Sequence, residues 1–410
     1  MRVLVADALP EGRLAELRSE GRDLVVDYRP ELKAEALGEA LAAAAPAPPV
    51  EVLVVRSTEV TAAMIARAEA LALIVRAGAG VNTIDVAAAS ARGILVANCP
   101  GKNALAVAEL AMGLLVALDR RIPDNVAAAR TGRWDKKTFS AAQGLHGRRL
   151  GVLGFGAIGR AVAARAQGFG MRVSVWSRSL DEGAAAAAGV ARAEELDALL
   201  PQCDAVTLHL PASGDTKGLL DARRLGLLKP GALLVNTARA ELVDEEAVLA
   251  AARAGRLRYG TDVVRGEPAA ARAELASPLA AAEGVYVTHH IGASTEQAQD
   301  AIAAEAVRLV RAFAATGEVP GGGVVNLRKR SRAAVTLVVR HLDRVGVLAE
   351  VLGVLREAGL NVQEMENTLF EGAAPGTAVA RIGLETAPRA ETVAAIRARR
   401  DVILHAQVFD

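Results

Sequence analysis

The sequence is poor in aromatic residues: Phe, Tyr and Trp together make up 3% of its 410 residues. That scarcity argues against a platform on which nucleic-acid bases stack. Cysteine is scarce too, with only Cys99 and Cys203. Two cysteines so far apart form neither a disulfide framework nor a metal-ligand cluster, and a reducing compartment is expected. Neither sign of charge is in excess: 48 Lys and Arg against 47 Asp and Glu leave a net +1. A general nucleic-acid binder needs surplus positive charge, so that class is excluded, while a local arginine pocket is not. Long hydrophobic runs are missing. The longest, Ala104–Leu118, is shorter than a bilayer span and carries Glu109. Met1–Leu9 contains Asp7 and runs into Pro10-Glu11-Gly12, which reads as a strand and turn, not an export signal. The expectation is a cytoplasmic protein with no nucleic-acid, membrane or metal partner.

Hydrophobic residues account for 52% and charged residues for 23%, enough apolar side chain for a sizeable core. The length suggests two to three domains at roughly 150 residues each. Short apolar runs at Val3–Val5, Val52–Val55, Leu73–Val75 and Ile94–Val96 alternate with alanine-rich, helix-like stretches. That alternation predicts parallel strands in βαβ units. A second series follows at Leu150–Leu153, Val173–Trp176, Ala205–Leu208, Leu233–Val235, Tyr259–Val263 and Val285–Thr288, with a helix over 295–316. Composition then changes. Gly321–Gly323 and the basic run Arg328–Arg332 read as a linker. Residues 333–410 have the order βαββαβ, a ferredoxin-like arrangement. The fold class is therefore α/β, with two Rossmann-like or flavodoxin-like parallel-sheet domains and a C-terminal ferredoxin-like domain.

The glycine motif Gly154-Phe155-Gly156-Ala157-Ile158-Gly159 follows one of these strands and opens a helix. Gly154 permits a tight turn, Gly156 lets backbone approach a pyrophosphate, and Gly159 lets helix and strand pack closely. The next strand should end in an acid for the ribose 2′-hydroxyl of NAD(H). It ends in Ser177 and Arg178 instead, and an arginine there suits the 2′-phosphate of NADP(H). The alternative is that Arg178 is only exposed and Asp181 serves as the acid. Further polar groups follow other strand ends: Thr237, Ala238 and Arg239; Asp262 and Glu267; His289 and His290. Arg, Glu and His converging at the carboxyl ends of parallel strands make a plausible hydride-transfer site.

With the glycine motif, the segments Asn236–Glu246, Glu267-Pro268 and His289–Gln299 resemble the D-isomer-specific 2-hydroxyacid dehydrogenases. Val55–Thr61, Val75–Asp85, Asn98–Asn103 with Val107–Leu110, and Gly132–Phe139 are similar to the phosphoglycerate dehydrogenase branch in particular. The C-terminal residues His341–Leu348 and Gly359–Val362 resemble an ACT domain. The resemblance implies a substrate domain of residues 1–98 plus 291–320, a dinucleotide domain of 99–290, a linker of 321–332 and an ACT regulatory domain of 333–410. It implies Arg239, Glu267 and His290 as catalytic residues, with His289 displaced into the place of a usual proline. Thr237, Ala238 and Asp262 join the glycine motif, Ser177 and Arg178 at the cofactor, NAD(H) or NADP(H). Arg56, Ser57, Arg76, Ala79, Gly80, Val81 and Asn103 would hold a phosphorylated 2-hydroxy acid. His341, Asp343 and Asn361 would meet an amino-acid effector such as L-serine at a dimer interface, in a homodimer or homotetramer. An ACT domain that only oligomerises is the alternative. The activity implied is oxidation of D-3-phosphoglycerate in serine synthesis. The rivals are a glyoxylate or hydroxypyruvate reductase, and a nucleotide-sensing corepressor.

Overall fold

Strands apolar on both faces, such as the Val-Glu-Val-Leu-Val-Val run at residues 50–55, require a cover on each side, and alanine-rich helices supply it. In the computed structural model, which describes residues 1–19, 24–42, 48–268, 272–320, 323–327, 333–370 and 376–409, this logic builds two parallel sheets. The first contains β1 (Arg2–Val5), β2 (Val25–Tyr28), β3 (Val50–Val55), β4 (Leu73–Arg76) and β5 (Leu95–Asn98). Its order is β2-β1-β3-β4-β5, so the chain reverses direction across the sheet between β1 and β3. The second contains β6 (Arg149–Leu153), β7 (Arg172–Trp176), β8 (Ala191–Ala193), β9 (Ala205–Leu208), β10 (Ala232–Asn236), β11 (Leu257–Thr261) and β12 (Val285–Val287). Its order is β12-β11-β10-β9-β6-β7-β8, with the reversal between β6 and β9.

The chain passes from the first sheet to the second and back. Helix Ala104–Arg120 buries Ala111, Leu115 and Leu118 with Leu150 and Val152 of the second sheet. Helix Glu296–Thr316 returns, and its Ile302, Val307, Val310 and Phe313 pack on Val3, Val5, Val52 and Val75 of the first. Both sheets lie within one compact unit, Met1–Leu327. No described helix is long and apolar enough to cross a membrane.

The second unit, Arg328–Asp410, holds β13 (Val335–Leu342), β14 (Val362–Phe370), β15 (Thr377–Leu384) and β16 (Ile403–Phe409). They form an antiparallel sheet in the order β14-β15-β13-β16, with helices Val347–Glu357 and Ala390–Arg397 packed on it. This is the ferredoxin-like order expected from the sequence.

Two strands escaped the sequence pattern. β2 and β8 are sheet edges, where only part of each side chain is covered and alternation is weak. Residues 323–327 of the expected linker pack on the first sheet. Val324 bridges Ala97, Val325 N–H donates to Val96 O at 2.8 Å, and Asn326 Oδ1 accepts from Val96 N at 2.8 Å. The edge strand β5 carries unpaired backbone groups, and residues 323–327 satisfy them. The basic run at 328–332 lies outside the described residues.

Gly159 sets the distance between helix Ala157–Gly168 and β6: a Cβ there would sit 2.1 Å from Gly154 O. Gly159→Ala must push the helix away, and is expected to cost about 1–3 kcal/mol. Thermal unfolding followed by circular dichroism checks this, and an unchanged midpoint would show that the close approach carries no cost.

Candidate active site

Helix Ala157–Gly168 begins at the reversal point of the second sheet, with Gly156 as its N-cap residue. Gly154 has φ +98°, a conformation that disfavours any side chain, and a Cβ there would lie 2.4 Å from His209 O. Gly156 differs: a Cβ there would meet nothing within 4 Å. The space in front of the first helical N–H groups at Ala157 and Ile158 is therefore open, as a pyrophosphate requires. Phe155 is buried, and its ring lies under the Arg160 guanidinium at 4.4 Å. Thr237 adds a buried hydroxyl without a hydrogen-bond partner among the described residues. These features fit a dinucleotide.

At the end of β7, Ser177 Oγ lies 3.4 Å from Ser179 Oγ, and Arg178 pairs loosely with Asp215 at 3.1 Å, both well exposed. Asp181 accepts from Ala184 N at 2.7 Å and caps a helix, so its carboxylate already has a structural task. Arg178, Ser179, Asp181 and Arg192 line an open depression of about 410 Å³.

Arg239, Glu267 and His290 come from the ends of the adjacent strands β10, β11 and β12. The buried Asn236 amide shapes the first turn: its Nδ2 donates to Arg239 O at 2.8 Å and its Oδ1 accepts from Ala238 N at 3.0 Å. His290 Nδ1–H donates to Glu267 Oε2 at 2.6 Å, which leaves Nε2 on the open side. This hydrogen bond outweighs desolvation and raises the His290 pKa above its ordinary 6.5. Burial works to raise the Glu267 pKa, but the hydrogen bond and charge of His290 hold it below the usual carboxylate value. His290 itself has φ +52°, a left-handed backbone. Asp262 holds that turn. Its Oδ1 accepts from Thr288 Oγ1 at 2.6 Å and Ile291 N at 2.9 Å, and its Oδ2 from Gly292 N at 2.7 Å. The motif alone did not indicate this task for a residue expected at the cofactor. His289 is exposed, next to a residue whose geometry is fixed on every side.

From the first sheet come Arg56, after β3, and Arg76, at the end of β4. A Cβ on Gly80 would lie 3.2 Å from Arg239 Nη2 and 4.0 Å from Arg76 Nη1, so this loop touches arginines of both sheets. Desolvation lowers the Arg76 pKa, and the charges of Arg239 and Arg56 lower it further. Among the described residues none of the three guanidinium groups pairs with a carboxylate, and Arg76 Nε is buried without a partner. The N–H groups of Ala79, Gly80 and Val81 likewise lack partners among the described residues. Asn98, which opens a segment that carries the resemblance but was given no role of its own, supports this loop by donating from Nδ2 to Ala79 O at 2.6 Å. Ser57 is exposed beside Arg56. Asn103 precedes helix Ala104–Arg120, two residues after Gly101, where a Cβ would lie 3.8 Å from Ala157 Cβ.

The expected effector residues are not gathered within one chain. His341 is buried, with Nδ1 2.8 Å from Leu342 O and Nε2 3.0 Å from Asn367 Oδ1. Asn361 precedes Val362, which pairs with Leu384, whereas His341 pairs with Ala378. Six residues of strand separate these ends, about 20 Å at 3.4 Å per residue. Asp343 follows β13 at the His341 end and donates its N–H to Gly376 O at 2.8 Å. Asn367 was not foreseen, because only the strand register places it beside His341.

Comparison with known proteins adds independent weight. The sequence profile described as D-isomer specific 2-hydroxyacid dehydrogenase, NAD binding domain, matches residues 112–292. The chain is similar to a D-3-phosphoglycerate dehydrogenase of Methanocaldococcus jannaschii, 38% identical over 315 residues, which are 76% of this chain and 57% of that one. It thus spans less than two thirds of the length of that curated relative. Among solved structures, the TT0316 protein from Thermus thermophilus is 34% identical with a TM-score of 0.69, covering 79% of this chain and 100% of that chain. A NAD+-bound 3-phosphoglycerate dehydrogenase of Entamoeba histolytica is 26% identical with a TM-score of 0.64, covering 80% and 99%. The strand-end Arg, Glu and His, the open glycine turn and this agreement over 79% of the chain converge: the protein belongs to the D-isomer specific 2-hydroxyacid dehydrogenases.

Proposed function

We propose that the protein oxidises the C2 hydroxyl of D-3-phosphoglycerate to the ketone of 3-phosphohydroxypyruvate, the step that opens serine synthesis. The observation that carries this reading is the set of three arginines without carboxylate partners, drawn from both sheets around the Gly80 loop. A substrate with an anion at each end answers that charge; a small unphosphorylated acid answers less of it. Arg239 and the free N–H groups of residues 79–81 take the carboxylate, and the planar guanidinium suits two parallel hydrogen bonds. Arg56 and Arg76 take the phosphate, with Asn103 as a neutral donor. His290 Nε2 accepts the hydroxyl proton as the C2 carbonyl forms. A nicotinamide coenzyme held at the glycine turn would supply the acceptor for the C2 hydride. Glu267 keeps the His290 ring oriented and stabilises its protonated form.

For the cofactor we favour NADP(H) over NAD(H), because Ser177 and Arg178 follow β7 directly while the first acid after it, Asp181, caps a helix. The same residues favour the reductase reading, glyoxylate or hydroxypyruvate with NADPH, as the second candidate. We further propose a homodimer or homotetramer in a reducing, cytoplasmic setting. Exposed Met365, Leu369 and Phe370 on the edge strand β14 support self-association. An amino-acid effector such as L-serine would then need Asn361 from a second copy.

An assay at 340 nm with purified protein separates these readings. The expected result is a strong preference for 3-phosphohydroxypyruvate over hydroxypyruvate and glyoxylate, and its reverse would install the reductase. His290→Ala is expected to lower turnover about 10²–10⁴-fold with coenzyme affinity retained. The raised pKa keeps His290 protonated to higher pH, so oxidation gains rate as pH climbs through that value, and reduction loses it. Glu267→Gln should therefore move both limbs to lower pH; limbs that stay in place would assign them to another group. Arg178→Ala should weaken NADPH about tenfold, the loss of about 1.4 kcal/mol, and leave NADH nearly unchanged in a fluorescence titration. Equal losses for both coenzymes would remove the 2′-phosphate role.

A further inference from the structure

Asp7 lies two residues beyond β1, at the point where the first sheet reverses its strand order, and its side chain is nearly fully buried. A single Asp7 oxygen, Oδ2, accepts three successive backbone N–H groups of the loop after β3: Arg56 at 2.7 Å, Ser57 at 3.0 Å and Thr58 at 2.9 Å. Its Oδ1 receives Lys33 Nζ at 2.5 Å and lies 3.4 Å from Ser57 Oγ. Lys33 Nζ also reaches Thr58 Oγ1. Three consecutive N–H groups turned to one point make a ready anion cradle. Here the protein's own carboxylate fills it. The N–H groups of Arg56, Ser57 and Thr58 are therefore taken, and this stretch offers side chains to a substrate anion instead, with Arg56 foremost.

We propose that Asp7 is a positioning residue that makes this arm recognise the phosphate end of the substrate. The proposal rests on the phosphoglycerate reading above. By occupying the cradle, Asp7 fixes the backbone from which Arg56 extends and so sets where its guanidinium stands relative to Arg76. Lys33 holds the carboxylate from the outer side. Asp7 also places a negative charge near a cluster of three cations, which lets Arg56 and Arg76 stay close when no phosphate separates them. The effect is specific to one end of the substrate, because the carboxylate end is held by Arg239 and the 79–81 loop, which Asp7 does not touch.

The test uses Asp7→Asn, Arg56→Ala and the double variant, each assayed with 3-phosphohydroxypyruvate and with hydroxypyruvate. Asp7→Asn is expected to raise KM for the phosphorylated ketone about tenfold, with kcat and the hydroxypyruvate parameters changing less than about twofold. Adding Asp7→Asn to Arg56→Ala is expected to cause no further loss, since residues acting through one another are not additive. Equal losses on both substrates, or full additivity, would reduce Asp7 to a structural role and overturn the proposal. If wild-type protein prefers the phosphorylated ketone and Asp7→Asn keeps that preference, this proposal alone falls. If wild-type protein shows no preference, the phosphate reading falls and takes this proposal with it. Should Asp7→Asn fail to fold, Lys33→Met removes the outer hold on the same carboxylate. It is expected to raise KM in the same substrate-selective way, and an unselective change would overturn the proposal.

Discussion

Three guanidinium groups, none paired with a carboxylate among the described residues, are the constraint around which the first unit is organised. Arg56 and Arg76 stand on one sheet and Arg239 on the other, and each repels the rest. Left to itself such a cluster would splay into solvent. Burial of Arg76 and the close approach at Gly80 keep it together. The mutual repulsion is relieved when an anion enters, so binding gains what the empty site lacks. A protein of nearly neutral overall charge can thus present a strongly positive site without a positive surface elsewhere.

The two passages of chain between the sheets make that encounter possible. Helix Ala104–Arg120 belongs to the core of the second sheet and helix Glu296–Thr316 to that of the first. Each body therefore holds a long helix that begins just after the chain has left the other. Cys99–Asn103 and His289–Thr295 are the connections, and both lie next to site residues. Asp262 accepts the N–H groups of Ile291 and Gly292 and so fixes the second connection beside His290.

The sheets, the glycine turn and the three catalytic candidates were legible in the sequence because each depends on local pattern. Apolar runs of fixed length mark buried parallel strands, and Gly154 and Gly159 mark a backbone that no side chain can occupy, with Gly156 open between them. What stayed hidden depends on tertiary register. Val25–Tyr28 and Ala191–Ala193 are edges with little pattern of their own. Asn326 looks like linker until β5 is seen to need a partner. Asn367 becomes the neighbour of His341 only through pairing along β15. Asp262 read as a cofactor contact from its place at a strand end, and nothing local showed that two N–H groups much later in the chain would claim its oxygens. Asp7 read only as an interruption in an apolar run, for the same reason.

One device recurs at the strand ends. Asp7 after β1, Asn236 at the end of β10 and Asp262 after β11 each turn a short, buried polar side chain on the backbone of a neighbouring loop. Each loop then carries one of the candidate site side chains: Arg56, Arg239 and His290. The physical reason is common to all three. A loop at the mouth of a parallel sheet has backbone donors that neither strand nor helix satisfies, and where they are buried water serves them poorly. A carboxylate or amide rooted in the rigid sheet meets that need and fixes the loop in one conformation. Catalytic groups need placement to within about 0.5 Å, which loops alone do not supply. Small polar residues at strand ends transmit the rigidity of the sheet to the loop. They explain how His290 keeps a left-handed backbone that its own side chain disfavours. They also explain why the functional side chains themselves can remain exposed and free to meet a ligand.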